Sequence, residues 1–93
     1  MIVGLCTVEL YLPESNSLKA KRAMLLSVKD RLRDKFNLSV AEVGDQDLWQ
    51  KAVLAMACVA NEGAYVNQVL DQAVNLLRSV PLIEMVKCRI ELL

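Results

Sequence analysis

The stretch Ala52–Ala60, AVLAMACVA, decides the architecture. It holds no charge and no helix breaker, and both of its parities are apolar: Ala52, Leu54, Met56, Cys58 and Ala60 on one side, Val53, Ala55, Ala57 and Val59 on the other. A strand with one wet face alternates apolar and polar residues, whereas a strand covered on both faces reads as an unbroken apolar run. A buried helix is the competing reading, because alanine and leucine favour helix. The flanks favour the strand: a Gly44-Asp45 turn lies upstream, Asn61-Glu62-Gly63 lies downstream, and strand-like runs frame the helical ones. The stretch is expected as the central strand of a sheet.

Upstream of it, Ile2–Leu12 reads as a first strand whose even positions Ile2, Cys6, Val8, Leu10 and Leu12 point to the core, around Gly4. Pro13–Ser17 is a loop ending on Ser17, a good N-cap. Leu18–Phe36 reads as a helix with Leu18, Leu25, Val28, Leu32 and Phe36 in one sector, and Asn37 as its left-handed C-cap. Leu38–Val43 is a short second strand. Downstream, Ala64–Ser79 reads as a second helix with Val66, Val69, Leu70, Ala73, Val74 and Leu77 inward, stopped by Val80-Pro81. Leu82–Leu93 closes the chain as a strand with Val86, Cys88, Ile90 and Leu92 on one face and Lys87, Arg89 and Glu91 on the other. The order β-α-β-β-α-β predicts a single α+β domain over residues 1–93. It is the ferredoxin-like arrangement, a four-stranded antiparallel sheet with both helices on one face. Right-handed crossovers place the first and third strands in the centre, where the composition of Ala52–Ala60 already puts the third.

The sequence has 93 residues, enough for a core without disulfide or metal staples. Its 55% hydrophobic content is high for that size, so part of the apolar surface is expected to meet a partner. Eleven basic and eleven acidic residues cancel, and no global charge points to nucleic acid or membrane. The start MIVGLC has no basic region of a secretion signal, and no apolar run approaches the ~20 residues that span a bilayer. Cys6, Cys58 and Cys88 are then expected as reduced thiols in a cytoplasmic protein.

SLKAKR (17–22), RLRDKFNLSVAEV (31–43) and DQDLWQKAVL (45–54) resemble the YlxP-like family of small bacterial proteins, nearly end to end. The resemblance implies a ferredoxin-like fold and brings no activity with it. Members are commonly encoded among translation and ribosome-maturation genes, which implies a connection to RNA or the ribosome.

For catalysis the residues offer little. The chain has no histidine, so Ser–His and Cys–His nucleophile activation are excluded, and Gly4, Gly44 and Gly63 are isolated rather than gathered in a phosphate loop. No catalytic residue, cofactor or metal ligand is assigned, and the protein is expected not to be an enzyme. Glu42, Asp45 and Asp47 have the chemistry to hold a hard cation at one end of the sheet. The expected role of Asp45 and Asp47 is to cap the turn and stay solvated. The cysteines are expected as small buried hydrophobes, since three thiols make a poor zinc site. Trp49, the lone tryptophan, is expected to plug the core beneath the turn; the alternative is a contact anchor for a partner.

Two function classes remain. The face of the sheet away from the helices carries Val3, Leu5, Val53, Ala55, Ala57 and Val59, an apolar patch of the kind that marks an interaction site. The first reading is an interaction module that forms a homodimer through that face. The second uses Lys19, Arg22, Lys29 and Arg33, a basic stripe on a helix with seven basic and two acidic residues over 18–36. It makes the protein an accessory factor of translation or ribosome maturation, bound to ribosomal RNA or a ribosome-associated protein. Without an aromatic platform on the central strands, such binding would run through phosphate charge and shape.

Overall fold

A computed structural model describes residues 1–93. The elements are β1 (Ile2–Tyr11), α1 (Leu18–Lys35), β2 (Ser39–Gly44), β3 (Lys51–Ala60), α2 (Gly63–Arg78) and β4 (Glu84–Leu92). The sheet order is β2-β3-β1-β4 with every pairing antiparallel. This is the ferredoxin-like arrangement expected from the sequence, with β1 and β3 in the middle. α2 packs over β1, β3 and β4, and α1 packs against β2 and α2.

The core lies between the sheet and the helices. β1 contributes Cys6, Val8 and Leu10 to it, and β3 contributes Ala52, Leu54, Met56 and Cys58, all buried. The six residues expected inward on α2 are all buried there. Gly4 has a steric reason to be glycine. A Cβ at that position would collide with Val66 and stand 2.9 Å from Leu70 Cδ1, so its absence lets α2 lie close on β1.

α1 starts where the sequence places it. Ser17 is extended, and its hydroxyl accepts a hydrogen bond from Ala20 N at 3.0 Å. Its end differs from expectation: Phe36 is already extended, and its N–H closes the last turn on Leu32 O at 2.9 Å, so Asn37 needs no left-handed cap. Val86 also differs. Glu9 pairs with Lys87 but Leu10 pairs with Met85, leaving Val86 as an extra residue in a bulge and 68% exposed. Met85 takes the inward place instead. A similar shift lies between Glu42 and Gly44, beside Val43, which is exposed on the same face as Ser39 and Ala41.

Candidate functional site

The sheet face opposite the helices carries the odd residues of β1 and β3. Cross-strand pairing sets Val3 beside Val59, Leu5 beside Ala57, Thr7 beside Ala55 and Glu9 beside Val53. Ser39 and Ala41 extend these rows on the β2 side, and Glu91, Arg89 and Lys87 extend them on the β4 side. The face therefore has an apolar field and a charged margin, where Arg89 Nε lies 3.1 Å from Glu91 Oε1. All six residues expected to form an interface lie in the apolar field. Val3, Leu5, Val53, Ala55 and Ala57 are half-buried by their strand neighbours, and Val59 is 52% exposed. The run in β3 that reads as covered on both faces is thus covered on one by this chain.

At one end of the sheet stands the turn between β2 and β3, and its support is a residue that the sequence reading passed over. Lys21 lies one turn before Leu25 on the stripe Lys21, Leu25, Val28, Leu32 and is fully buried. Its Nζ donates to Asp45 O at 2.8 Å, Lys51 O at 3.2 Å and Gln46 O at 3.3 Å, and lies 2.9 Å from Glu42 Oε2. An ammonium has three protons, and the three carbonyls take them. The contact with Glu42 is therefore charge against charge, and Oε2 receives no directed hydrogen bond. This answers the question of a cation held by Glu42, Asp45 and Asp47. The cation is Lys21, Glu42 is committed to it, and the side chains of Asp45 and Asp47 stay in solvent.

Because Lys21 fills the space beneath the turn, Trp49 does not plug it. Trp49 is 56% exposed and Leu48 46%, which corrects the expectation of a buried indole. The segment is pinned on its other side as well. Leu12 N donates to Gln50 O at 2.8 Å, and Gln50 Nε2 donates to Pro13 O at 3.2 Å. Asp45 holds φ 58°, a left-handed turn position that Asp tolerates better than most residues.

The basic stripe is only partly kept. Lys19 and Arg22 are exposed and Lys29 is half-buried, and none of them has a salt-bridge partner. Arg33 is drawn away: its Nη2 donates to Val40 O at 2.9 Å, and Nη1 lies 3.8 Å from Asp30 Oδ1. It thereby covers part of the open edge of β2.

Cys6 and Cys88 meet on the inner face with their sulfurs 3.9 Å apart, and Cys58 stands opposite Gly4. All three are free thiols. Burial, then the neighbouring Cys88 and Asp71, push the Cys6 thiol up to about 12, and burial raises Cys58. No helix is long and apolar enough to cross a membrane.

The family described as "Protein of unknown function (DUF503)" matches residues 3–90. The uncharacterized protein YlxP of Bacillus subtilis (strain 168) is 32% identical over 90 residues, 97% of this chain and 98% of that protein. Among solved structures, LarC2, the C-terminal domain of a cyclometallase involved in the synthesis of the NPN cofactor of lactate racemase, aligns with all of this chain. The chain spans 56% of that structure, with a TM-score of 0.43 and 9% identity, a likeness too loose to bear on function. Matched across nearly its whole length in sequence, the chain belongs to the DUF503 family, and YlxP is a relative of it.

Proposed function

We propose that the protein is a non-enzymatic interaction module that pairs with a second copy of itself through the open face of its sheet. The observation that carries this is the field Val3, Leu5, Val53, Ala55, Ala57 and Val59, which no element of the chain covers. Strands of ten, six, ten and nine residues at ~3.3 Å per residue and ~4.8 Å apart make a face of roughly 550 Å². Two such faces bury roughly 1,100 Å², just under the lower bound of about 1,200 Å² for a specific interface. The charged margin suits a second copy. Along β4 it runs Lys87, Arg89, Glu91, with Glu9 of β1 beside Lys87, so it carries both signs, and a two-fold axis across the strands can set Lys87 of one copy against Glu91 of the other.

Replacing Val53 or Ala55 by Glu tests the reading, because like charges then meet across a desolvated surface. Gel filtration at tens of micromolar should show the wild type as a dimer and both variants as folded monomers. Variants that elute with the wild type would refute the face as the interface.

A second reading is favoured by the three unpaired cations Lys19, Arg22 and Lys29 on α1. They give a contact line for the phosphates of structured RNA, and a face-to-face dimer would carry two such lines.

A further inference from the structure

We propose that Trp49 anchors the sheet-face dimer, reaching past the end of its own sheet to cover the Val3–Val59 end of the second copy. This rests on the open face being the self-associating surface, and it adds the orientation of the two sheets and the residue that dominates their affinity. Three observations lead to it.

The first is continuity. Lys51 lines the recess formed by Asp47–Lys51 around Trp49, and it also lines the recess that Glu9, Tyr11, Asp45 and Val86 form at the end of β1. The Trp49 hairpin is therefore an extension of the open face at its Tyr11 end. The second is rigidity. A buried lysine, its carboxylate partner, the backbone bond from Leu12 N to Gln50 O and the bond from the Gln50 side chain to Pro13 O hold this segment in place. Their product is an indole held out in solvent beside Leu48. An aromatic carried on a backbone that is fixed before binding has only its side chain left to order when it docks, which suits an interface anchor.

The third is the shape of the two ends. The hairpin end bears Asp45, Asp47 and Glu84 beside Trp49 and Leu48. The opposite end is richer in exposed apolar side chains, with Met1 91%, Leu93 71% and Val59 52% exposed, and carries the acidic Glu62. Packing like ends together would set carboxylates against carboxylates and leave both apolar ends wet. Packing the strands of the two sheets antiparallel brings each indole over the bare end of the other copy. The indole also supplies the missing area: a buried Trp adds roughly 150–250 Å² per copy, raising the face from just under the lower bound to about 700–800 Å² per partner, within the standard range.

The lone tryptophan reports on its own burial. In a dilution series, the emission of Trp49 should move to shorter wavelength in step with dimer formation. Trp49→Ala, at an exposed position, should stay folded and weaken the dimer about 30-fold or more, as hot-spot residues do, while Trp49→Phe keeps most of the affinity. Val59→Glu should return the emission to that of a solvated indole. If a dimer forms and Val53→Glu breaks it, yet Trp49 emission is constant and Trp49→Ala binds as the wild type, the anchor is wrong and the sheet-face reading stands. If the wild type stays monomeric throughout, the sheet-face reading falls and the anchor with it.

Discussion

Lys21 is the residue on which one end of the molecule depends. It is a cation with no access to water, so its charge is tolerable only because three carbonyls and Glu42 surround it. Lys21→Met keeps the length and removes the charge. It strands Glu42 and three carbonyls, and the expected loss in urea unfolding is about 3–5 kcal/mol, the cost of breaking a buried pair from one side. Adding Glu42→Leu should recover part of that loss, because the stranded carboxylate is gone. A Lys21→Met protein as stable as the wild type would mean that the network carries no weight. Cys6 gives a second test at this scale. Its ordinary thiol value is 9.0 and the folded value is about 12. Below the lower value both states keep the proton and the folded thiol's contribution is complete. Between the two, the unfolded chain releases a proton that the folded one holds, so stability falls as pH rises, by up to about 1.4 kcal/mol per pH unit. Cys6→Ala should show a shallower decline, with only the part from Cys58 left, when the two proteins are compared by urea unfolding below and above pH 9.0.

At the scale of elements, the sequence is most legible where periodicity is long and the chemistry uniform. The two apolar parities of Ala52–Ala60, once the flanking turns decide strand over buried helix, and the six-residue stripe of α2 each point to the place where they are found. The misreadings share a cause. Val86 sits at a bulge, where one extra residue inverts the faces, and alternation alone carries no mark of a bulge; the end of α1 is likewise set by one residue, Phe36 already being extended. Lys21 was readable by position, since it stands four residues before Leu25 on the buried stripe. Its charge grouped it with the solvated residues, because lysine is almost never buried without partners and those lie 21 or more residues away in the chain. Trp49 follows from that error, for only the lysine explains why the space under the turn is full. The basic flank of α1 belongs here too. Changing Lys19, Arg22 and Lys29 to Glu should scarcely alter stability, as exposed substitutions move it by ~0.5 kcal/mol or less. If the flank binds RNA, the change should weaken binding across sequences, and the wild type should show a log–log salt slope near 0.7–0.9 per phosphate contact. Arg33 is left out of that set because it ties α1 to Val40. Equal losses from reversing Arg31 and Lys35 would reduce the effect to net charge and defeat the reading.

At the scale of the whole molecule, 55% apolar composition meets a two-layer fold with one helix layer. A sheet covered on one face has no need of apolar residues on the other, and natural sheets of this kind alternate. β3 does not alternate. The surplus lies in one field with a charged margin, and in the proposed dimer a second copy turned antiparallel would cover it while adding an indole from each side. The most direct measurement is sedimentation equilibrium of the wild type over a concentration series through the tens of micromolar, the range of ordinary dimer strengths. The account expects the mass to rise from that of one 10.4 kDa chain to that of two, with Val53→Glu held at one. A wild type that stays at the mass of a single chain across the whole series would contradict it.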